Sequence, residues 1–436
     1  MTPAARLSTA IDLLCAIENA PRRPADATAN AFFRERRYIG GGDRRVVSGR
    51  VWDVLRGWRR LHWHLRDMEG GASPRALCAA SLLLAGESFD VVDGLFSGER
   101  FAQNALASRE RAALMPLEGR SLSDPAMPRA VRLEFPDWLE PYLIATFGDE
   151  LERELAAMEG AAPLDLRVNL LKTDCEKALS ALRQDSLLAR PTALSPWGLR
   201  LDGRQPVTAA ASFREGLVEI QDEGSQLVVA AVDAKPGERV LDFCAGAGGK
   251  TLALAMTMHN KGQIVACDVS AQRLEGAVKR LRRAGAHNVE RHLLVSGDKW
   301  VKRRAGSFDR VLVDAPCSGT GTWRRNPDAR IRLTENDISE LRVKQAEILD
   351  RAASLVKPGG RLVYATCSLL AEENMAQIDA FLSRRADFEL APAGGEVLPE
   401  ALREQSSFSL TPLRNGTDGF FAAVLRRVNV ATTPET

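Results

Sequence analysis

The spacing of apolar residues changes character along this chain and divides it into three segments. Up to about residue 125 the period is helical. Ile11, Leu13, Leu14 and Ile17 form one stripe, and Val47, Val51, Val54, Leu55, Trp58 and Leu61 form another at intervals of three and four. Gly40-Gly41-Gly42 interrupts the helices between them, and the small, proline-bearing stretch Ser121–Pro125 with Met127-Pro128 reads as a linker. A small α/β segment is expected over 126–220, with strands at Arg167–Leu171 and Gly216–Ile220 around a helix at Cys175–Leu182. From 221 to 430, short apolar runs at Val240-Leu241, Ile264–Ala266, Val311–Val313 and Leu362–Tyr364 alternate with helical patterns at Leu252–Met258, Gln272–Ala284 and Glu335–Val356. That alternation predicts an α/β fold with a doubly wound, mostly parallel sheet. Phe408–Leu410 and Phe420–Leu425, turned by Asn415-Gly416, add a terminal hairpin, and Ala431–Thr436 is a polar tail.

Composition narrows the class without naming a function. The chain has 436 residues, 45% hydrophobic and 27% charged, the balance of an ordinary globular protein with large cores. No run approaches the roughly 18 apolar residues of a membrane span, and the amino-terminal stretch lacks a signal-peptide core. The seven cysteines are odd in number, widely spaced and never paired as C-x-x-C, which points to reduced thiols in a cytoplasmic protein. Neither they nor the five histidines form a ligand cluster, so no metal is expected. The net charge of +2 is too small to announce a polyanion. A local set does so instead: Arg34, Arg36, Arg37, Arg44, Arg45, Arg50, Arg56, Arg59 and Arg60, interleaved with Trp52, Trp58 and Trp63, is expected to form a phosphate-binding surface.

The chemistry lies in the third segment. Cys317 sits in Asp314-Ala315-Pro316-Cys317-Ser318-Gly319-Thr320-Gly321, and Cys367 sits in Ala365-Thr366-Cys367-Ser368, fifty residues on. Each follows a buried-strand pattern, and open α/β sheets carry their reactive groups beyond the carboxyl ends of strands. Two thiols delivered there can share one pocket.

Upstream, Asp242-Phe243-Cys244-Ala245-Gly246-Ala247-Gly248-Gly249-Lys250-Thr251 makes a glycine-rich strand-to-helix turn whose backbone can approach a ligand. It fails the phosphate-loop pattern at Cys244 and the dinucleotide pattern at Thr251. S-adenosylmethionine remains, its cationic end suited to a loop opening on Asp242. Asp268, 20 residues beyond Gly248, stands at the end of the next strand pattern, positioned for ribose hydroxyls. Asp298 follows a third strand-like stretch and is a candidate for the adenine amino group.

With these motifs in this order, the chain resembles the Nop/Sun RNA cytosine-5 methyltransferases, in particular the bacterial RsmB-type group that modifies 16S ribosomal RNA. Arg167-Val168-Asn169, Gln221–Gln226 and Asp418-Gly419-Phe420-Phe421 extend the likeness over roughly 130–428. The resemblance implies a Rossmann-like methyltransferase domain, a small RRM-like subdomain and an amino-terminal NusB-like RNA-binding domain in a monomer. It also implies S-adenosylmethionine as cofactor, held by Asp242, Cys244, Ala245, Gly246, Ala247, Gly248, Gly249, Lys250, Asp268, Asp298 and Asp314. Cys367 would be the nucleophile, Cys317 would assist release, and Asp314 would hold the base. One departure stands out, because the family's loop usually reads Cys-Ala-Ala-Pro-Gly-Gly-Lys and here Gly246-Ala247 replaces Ala-Pro.

Residue chemistry alone leaves open which thiol attacks, since DNA cytosine-5 methyltransferases use a Pro-Cys sulfur. Transfer RNA remains an alternative substrate, and a ribosome-assembly factor with a vestigial methyltransferase fold an alternative function. Trp323-Arg324-Arg325 is expected to offer a base-stacking face and phosphate contacts, and Lys299, Lys302, Arg303 and Arg304 form a second basic run.

Overall fold

A computed structural model describes residues 1–203 and 205–428; the expected polar tail at 431–436 lies outside them. The chain forms two compact units. One comprises Met1–Gly160 with Trp323–Glu335, the other Ala161–Thr322 with Asn336–Thr436.

The first unit is helical. Thr2 and Ser73 start the helices Pro3–Glu18 and Pro74–Leu83 by accepting hydrogen bonds from Ala5 N and Ala76 N, each with proline in the first turn. Their apolar stripes meet those of Ala25–Glu35 and Gly41–Arg56 in one core containing Leu13, Leu14, Phe32, Val47, Val51, Leu55 and Leu77. This unit continues to Gly160, past the boundary expected near 125. Pro128 begins a short helix, Arg129–Arg132, and Leu133, Phe135, Leu139 and Leu143 are buried at helical spacing, so the proline-rich linker signal marked a helix start.

The arginine set is largely structural, which corrects the expectation of a phosphate surface for several members. Arg60 is 5% exposed and its Nε lies 3.0 Å from Glu134 Oε1, with Glu159 3.2 Å from its Nη1. Glu134 also accepts from Arg59 N and Arg60 N at 2.9 and 3.0 Å. Burial pushes this carboxyl up from its ordinary value, while Arg330 and Arg60 pull it back. Arg44 donates to the carbonyls of Ile39 and Phe33, and Arg59 to Phe135 O and Asp137. Arg34, Arg37 and Arg45 stay exposed. Trp52 and Trp58 pack against the core.

A second correction concerns Trp323-Arg324-Arg325. Trp323 is buried, as is Arg324, so the expected stacking face is absent at Trp323. The segment is an internal part of the helical unit. Asp328 Oδ2 accepts from Ala25 N at 3.0 Å and so caps the helix Ala25–Glu35, whose preceding residue is Pro24, which has no side-chain acceptor.

The second unit holds two sheets. Strands β1 (Leu164–Val168), β2 (Ala189–Pro191), β3 (Gly198–Leu201) and β4 (Val218–Ile220) form an antiparallel sheet in the order β2-β3-β1-β4, with the helix Cys175–Gln184 packing its Ala178 and Leu182 against it. The larger sheet contains β5 (Arg239–Asp242), β6 (Gln263–Asp268), β7 (Val289–Leu293), β8 (Phe308–Asp314), β9 (Val356–Thr366), β10 (Phe388–Leu390), β11 (Ser407–Leu410) and β12 (Phe420–Arg427). Its order is β10-β12-β9-β8-β5-β6-β7 with β11 on β12. Strands β5 to β9 run parallel, and β10, β11 and β12 pair antiparallel.

Apolar residues fill both faces. Val240, Leu312, Val363 and Ala365 pack toward the helices Glu223–Val232 and Gly249–Thr257, while Leu241, Val311, Val313, Leu362 and Tyr364 form the opposite core. Alternate residues of one strand therefore serve different cores, as a sheet covered on both sides requires. The chain winds from β5 outward through β6 and β7, then returns to β8 and β9 on the other side. This reversal gathers the ends of β5, β6, β8 and β9 at one edge.

Candidate active site

Each of the four strand ends delivers one part of the site. Beyond β5, Gly246 (φ 55°) and Gly248 (φ 80°) take left-handed conformations that turn the chain sharply into the helix Gly249–Thr257. A Cβ on Gly248 would approach that of Ala277 to 3.1 Å, whereas one on Gly246 would meet open space. Gly246 thus answers the departure from the family's loop: glycine at this position adopts the positive φ without the steric cost of a side chain.

Asp242 is fully buried. Its Oδ2 accepts from Thr251 Oγ1 at 2.7 Å, and its Oδ1 has no hydrogen-bond partner among the described residues. Burial pushes this carboxyl up to about 7. Asp268, at the end of β6, accepts from Gly246 N at 2.8 Å and from Ser270 N at 2.8 Å, fixing the loop against the neighbouring strand. Arg280 donates to Ala247 O at 2.8 Å, and Ala245 N donates to Cys267 O. The Cys244 side chain is partly buried against the core, and burial holds its thiol far above the usual range.

Asp298 lies beyond β7. Its carboxylate accepts from Trp300 N and pairs with His292 Nε2, both at 2.8 Å; the His292 bond holds it below the ordinary range. The His292 ring in turn stacks on Trp300 at 4.6 Å. These contacts tie Asp298 into the turn that follows its strand.

At the ends of β8 and β9 the two thiols meet. Cys317 Sγ and Cys367 Sγ are 3.4 Å apart, within hydrogen-bonding distance. The contact with Cys367, followed by burial, raises the Cys317 thiol well above its usual value. Lys250 Nζ lies 2.6 Å from Asp314 Oδ2 and 5.4 Å from the Phe420 ring centre. Burial works against the lysine's charge, but Asp314 outweighs it and the Lys250 pKa rises, so this lysine is a fixed cation between the glycine loop and the thiols.

Backbone pairing ties the two thiol loops together. Ala315 N donates to Ala365 O at 2.8 Å and Gly321 N to Cys367 O at 2.9 Å. Gly321 also touches Gly419, where a Cβ on either glycine would collide with the other's backbone below 3.0 Å, and Gly419 N donates to Gly321 O. The Asp418-Gly419-Phe420-Phe421 motif therefore brings the terminal strand against the Cys317 loop and sets Phe420 over Lys250.

Sequence reasoning missed the polar residues beneath the thiols. Glu373, Gln345, Ser318, Ser368 and Thr320 form a buried network there, and Arg167 Nη1 donates to Gly249 O at 3.0 Å from under the glycine loop. Ser318, Thr320, Ser368 and Arg167 stood inside the quoted motifs but gave no sign of these contacts, and Glu373 lies six residues after Cys367.

Residues 229–426 match the family model for 16S rRNA methyltransferase RsmB/F, and 135–208 match the ferredoxin-like domain model of RsmF/B-like methyltransferases. A ribosomal RNA small subunit methyltransferase B of Xanthomonas campestris is 33% identical over 398 residues, covering 89% of this chain and 90% of that one. The chain belongs to the RsmB/F methyltransferase family. A namesake from Photorhabdus laumondii is 35% identical over 297 residues, which span 67% of this chain and 66%, just under two thirds, of that protein. The solved structure of a methyltransferase homolog from Pyrococcus horikoshii superposes with a TM-score of 0.59 at 33% identity, covering 69% of this chain and 97% of the other.

S-adenosylmethionine is the cofactor of the RsmB/F family. The loop fits it: an orphaned buried carboxylate oxygen on Asp242 and two left-handed glycines form a cradle for a cationic ligand. Among the described residues no group of three or more His, Cys, Asp or Glu could hold a metal ion, and no helix is long and apolar enough to cross a membrane.

Proposed function

We propose that this protein methylates carbon 5 of a cytosine in RNA, with 16S ribosomal RNA as substrate, through a covalent cysteine–cytosine adduct. The observation that carries the reading is the 3.4 Å approach of two thiols beside the Lys250–Asp314 pair. The names of the Xanthomonas and Photorhabdus relatives support the small-subunit substrate.

Carbon 5 of cytosine is a poor nucleophile until sulfur adds to carbon 6. In this reading, as the family resemblance implies, the Cys367 sulfur forms that bond. Electron density moves toward carbon 5 while Asp314, anchored by Lys250, holds the nitrogen 3 edge. When bound, S-adenosylmethionine supplies the electrophilic methyl group. The hydrogen on carbon 5 then leaves as a proton to water, its electron pair restores the 5,6 double bond, and the carbon–sulfur bond breaks to return the Cys367 thiolate. Cys317 serves that release as the neighbouring thiol. The target base has to leave its stack to reach two sulfurs at strand ends, which suits a single-stranded or loop nucleotide. The exposed Arg34, Arg37 and Arg45 supply phosphate contacts in this reading.

The test is bisulfite sequencing of 16S ribosomal RNA incubated with protein and cofactor. A single newly protected cytosine, absent with Cys367→Ser, is expected. Protection confined to transfer RNA would reassign the substrate, and cofactor binding without methylation of either RNA would favour an assembly factor.

A further inference from the structure

Beneath the two sulfurs lies a carboxylate to which the reaction outlined above gives no role. Glu373 follows β9, is completely buried, and accepts hydrogen bonds from both thiol loops. Its Oε1 receives Ser318 N at 2.9 Å and Gln345 Nε2 at 2.9 Å. Its Oε2 receives Ser318 Oγ and Ser368 Oγ, each at 2.5 Å. Ser318 immediately follows Cys317, and Ser368 immediately follows Cys367. One carboxylate therefore grips the residue next to each sulfur.

The surroundings make Glu373 a fixed anchor. Its own carbonyl accepts from Tyr364 OH at 2.7 Å, which binds it to β9. The helix Glu335–Ala353 supplies Gln345, whose Nε2 also donates to Pro316 O at 2.9 Å, gripping the Cys317 loop from its other side. Thr320 Oγ1 closes the ring, lying 3.2 Å from Ser368 Oγ and accepting from Leu369 N at 2.8 Å. The Glu373 carboxylate itself accepts four hydrogen bonds, from Ser318 N, Ser318 Oγ, Ser368 Oγ and Gln345 Nε2. What the network fixes is the Cys317 loop relative to Cys367.

We propose that Glu373 is a positioning residue that clamps the two thiol loops together and so sets the distance between Cys317 and Cys367. This rests on the reading in which Cys367 attacks and Cys317 releases. Removing the clamp then loosens the Cys317 loop while Cys367 stays next to the end of β9, so attack continues and release slows.

The experiment compares Glu373→Ala, Glu373→Gln and Ser318→Ala with Cys317→Ser in the full chain. Ser318→Ala removes the Oγ bond of the Cys317 arm while leaving the backbone N–H on Oε1 and the carboxylate in place, guarding against loss of fold. Glu373→Ala is expected to lower kcat by about 10–100-fold, the cost of misplacing a reacting group by about 1 Å. S-adenosylmethionine affinity and the KM for RNA should stay within about twofold, and RNA should accumulate as a covalent adduct on a denaturing gel, as with Cys317→Ser. A merely structural role would lower cofactor affinity and rate together without adduct. If Cys317→Ser holds RNA and folded Glu373→Ala and Ser318→Ala variants do not, the clamp is refuted and the two-thiol reading stands. A second measurement is independent of methylation. Glutathione disulfide oxidises neighbouring thiols by two exchange steps, releasing two glutathione thiols per Cys317–Cys367 disulfide formed. The variants should form that bond about tenfold more slowly, and wild-type speed in a folded variant would overturn the proposal.

Discussion

Asp242→Asn isolates the cost of the carboxylate buried in the glycine loop. Asp242 Oδ1 faces no partner, and burial pushes the group up to about 7 from an ordinary value of 3.8. In the unfolded chain it ionises near 3.8; in the folded, cofactor-free protein it holds its proton until about pH 7. Between these values the native state binds more protons than the unfolded state, so stability falls as pH rises and levels off above the folded pKa. With each pKa unit worth about 1.4 kcal/mol, the two titrations give a loss of about 2.5 kcal/mol between about pH 5 and pH 8. Asparagine keeps the acceptor for Thr251 Oγ1 and does not titrate. The assay is urea unfolding of wild type and variant, both free of cofactor, across that range. Other carboxyls titrate equally in both proteins and cancel in the difference. The stability of Asp242→Asn relative to wild type should grow by about 2.5 kcal/mol from pH 5 to pH 8. A difference that stays flat would mean that Asp242 is already ionised in the apo loop and would refute the reasoning.

Glu134→Ala should destabilise the full chain by about 3–5 kcal/mol, because it removes the buried counter-charge of Arg60 and Arg330 and leaves only the half-exposed Glu159 near them; thermal unfolding checks this. Replacing Arg34, Arg37 and Arg45 together should weaken RNA binding and reduce the salt slope by about 0.7 for each phosphate that is no longer neutralised, as measured by filter binding. The same slope in the triple variant would remove these arginines from the interface. Asp268→Ala should weaken S-adenosylmethionine binding by calorimetry, since its carboxylate holds Gly246 N and each such bond contributes roughly 0.5–1.5 kcal/mol.

Much of the catalytic half was legible because strand ends carry short, distinctive motifs. The runs at Val240-Leu241, Ile264–Ala266, Val311–Val313 and Leu362–Tyr364 lie in parallel strands of one sheet, and the thiols behind the last two face each other. The terminal hairpin formed with Leu410 opposite Phe420. The amino-terminal half was harder to read. Arginines in a row look the same in sequence whether they face solvent or a buried acid, and Glu134, which decides the matter for Arg60, lies 74 residues away. Trp323 was misread for a similar reason: its segment belongs to the helical unit, where the nearby Asp328 caps a helix 303 residues earlier through Ala25 N. Glu373 was invisible as well, because a glutamate in a charged run gives no sign that four donors will surround it.

The roles of the two sulfurs are the central claim, and a denaturing gel of protein incubated with substrate RNA and cofactor tests them most directly. Cys367→Ser cannot form the carbon–sulfur bond and should run free of RNA. Cys317→Ser should methylate, stall before elimination and migrate as a protein–RNA adduct. The reverse pattern, with adduct only in Cys367→Ser, would contradict the account and assign the attack to the Pro316-Cys317 sulfur.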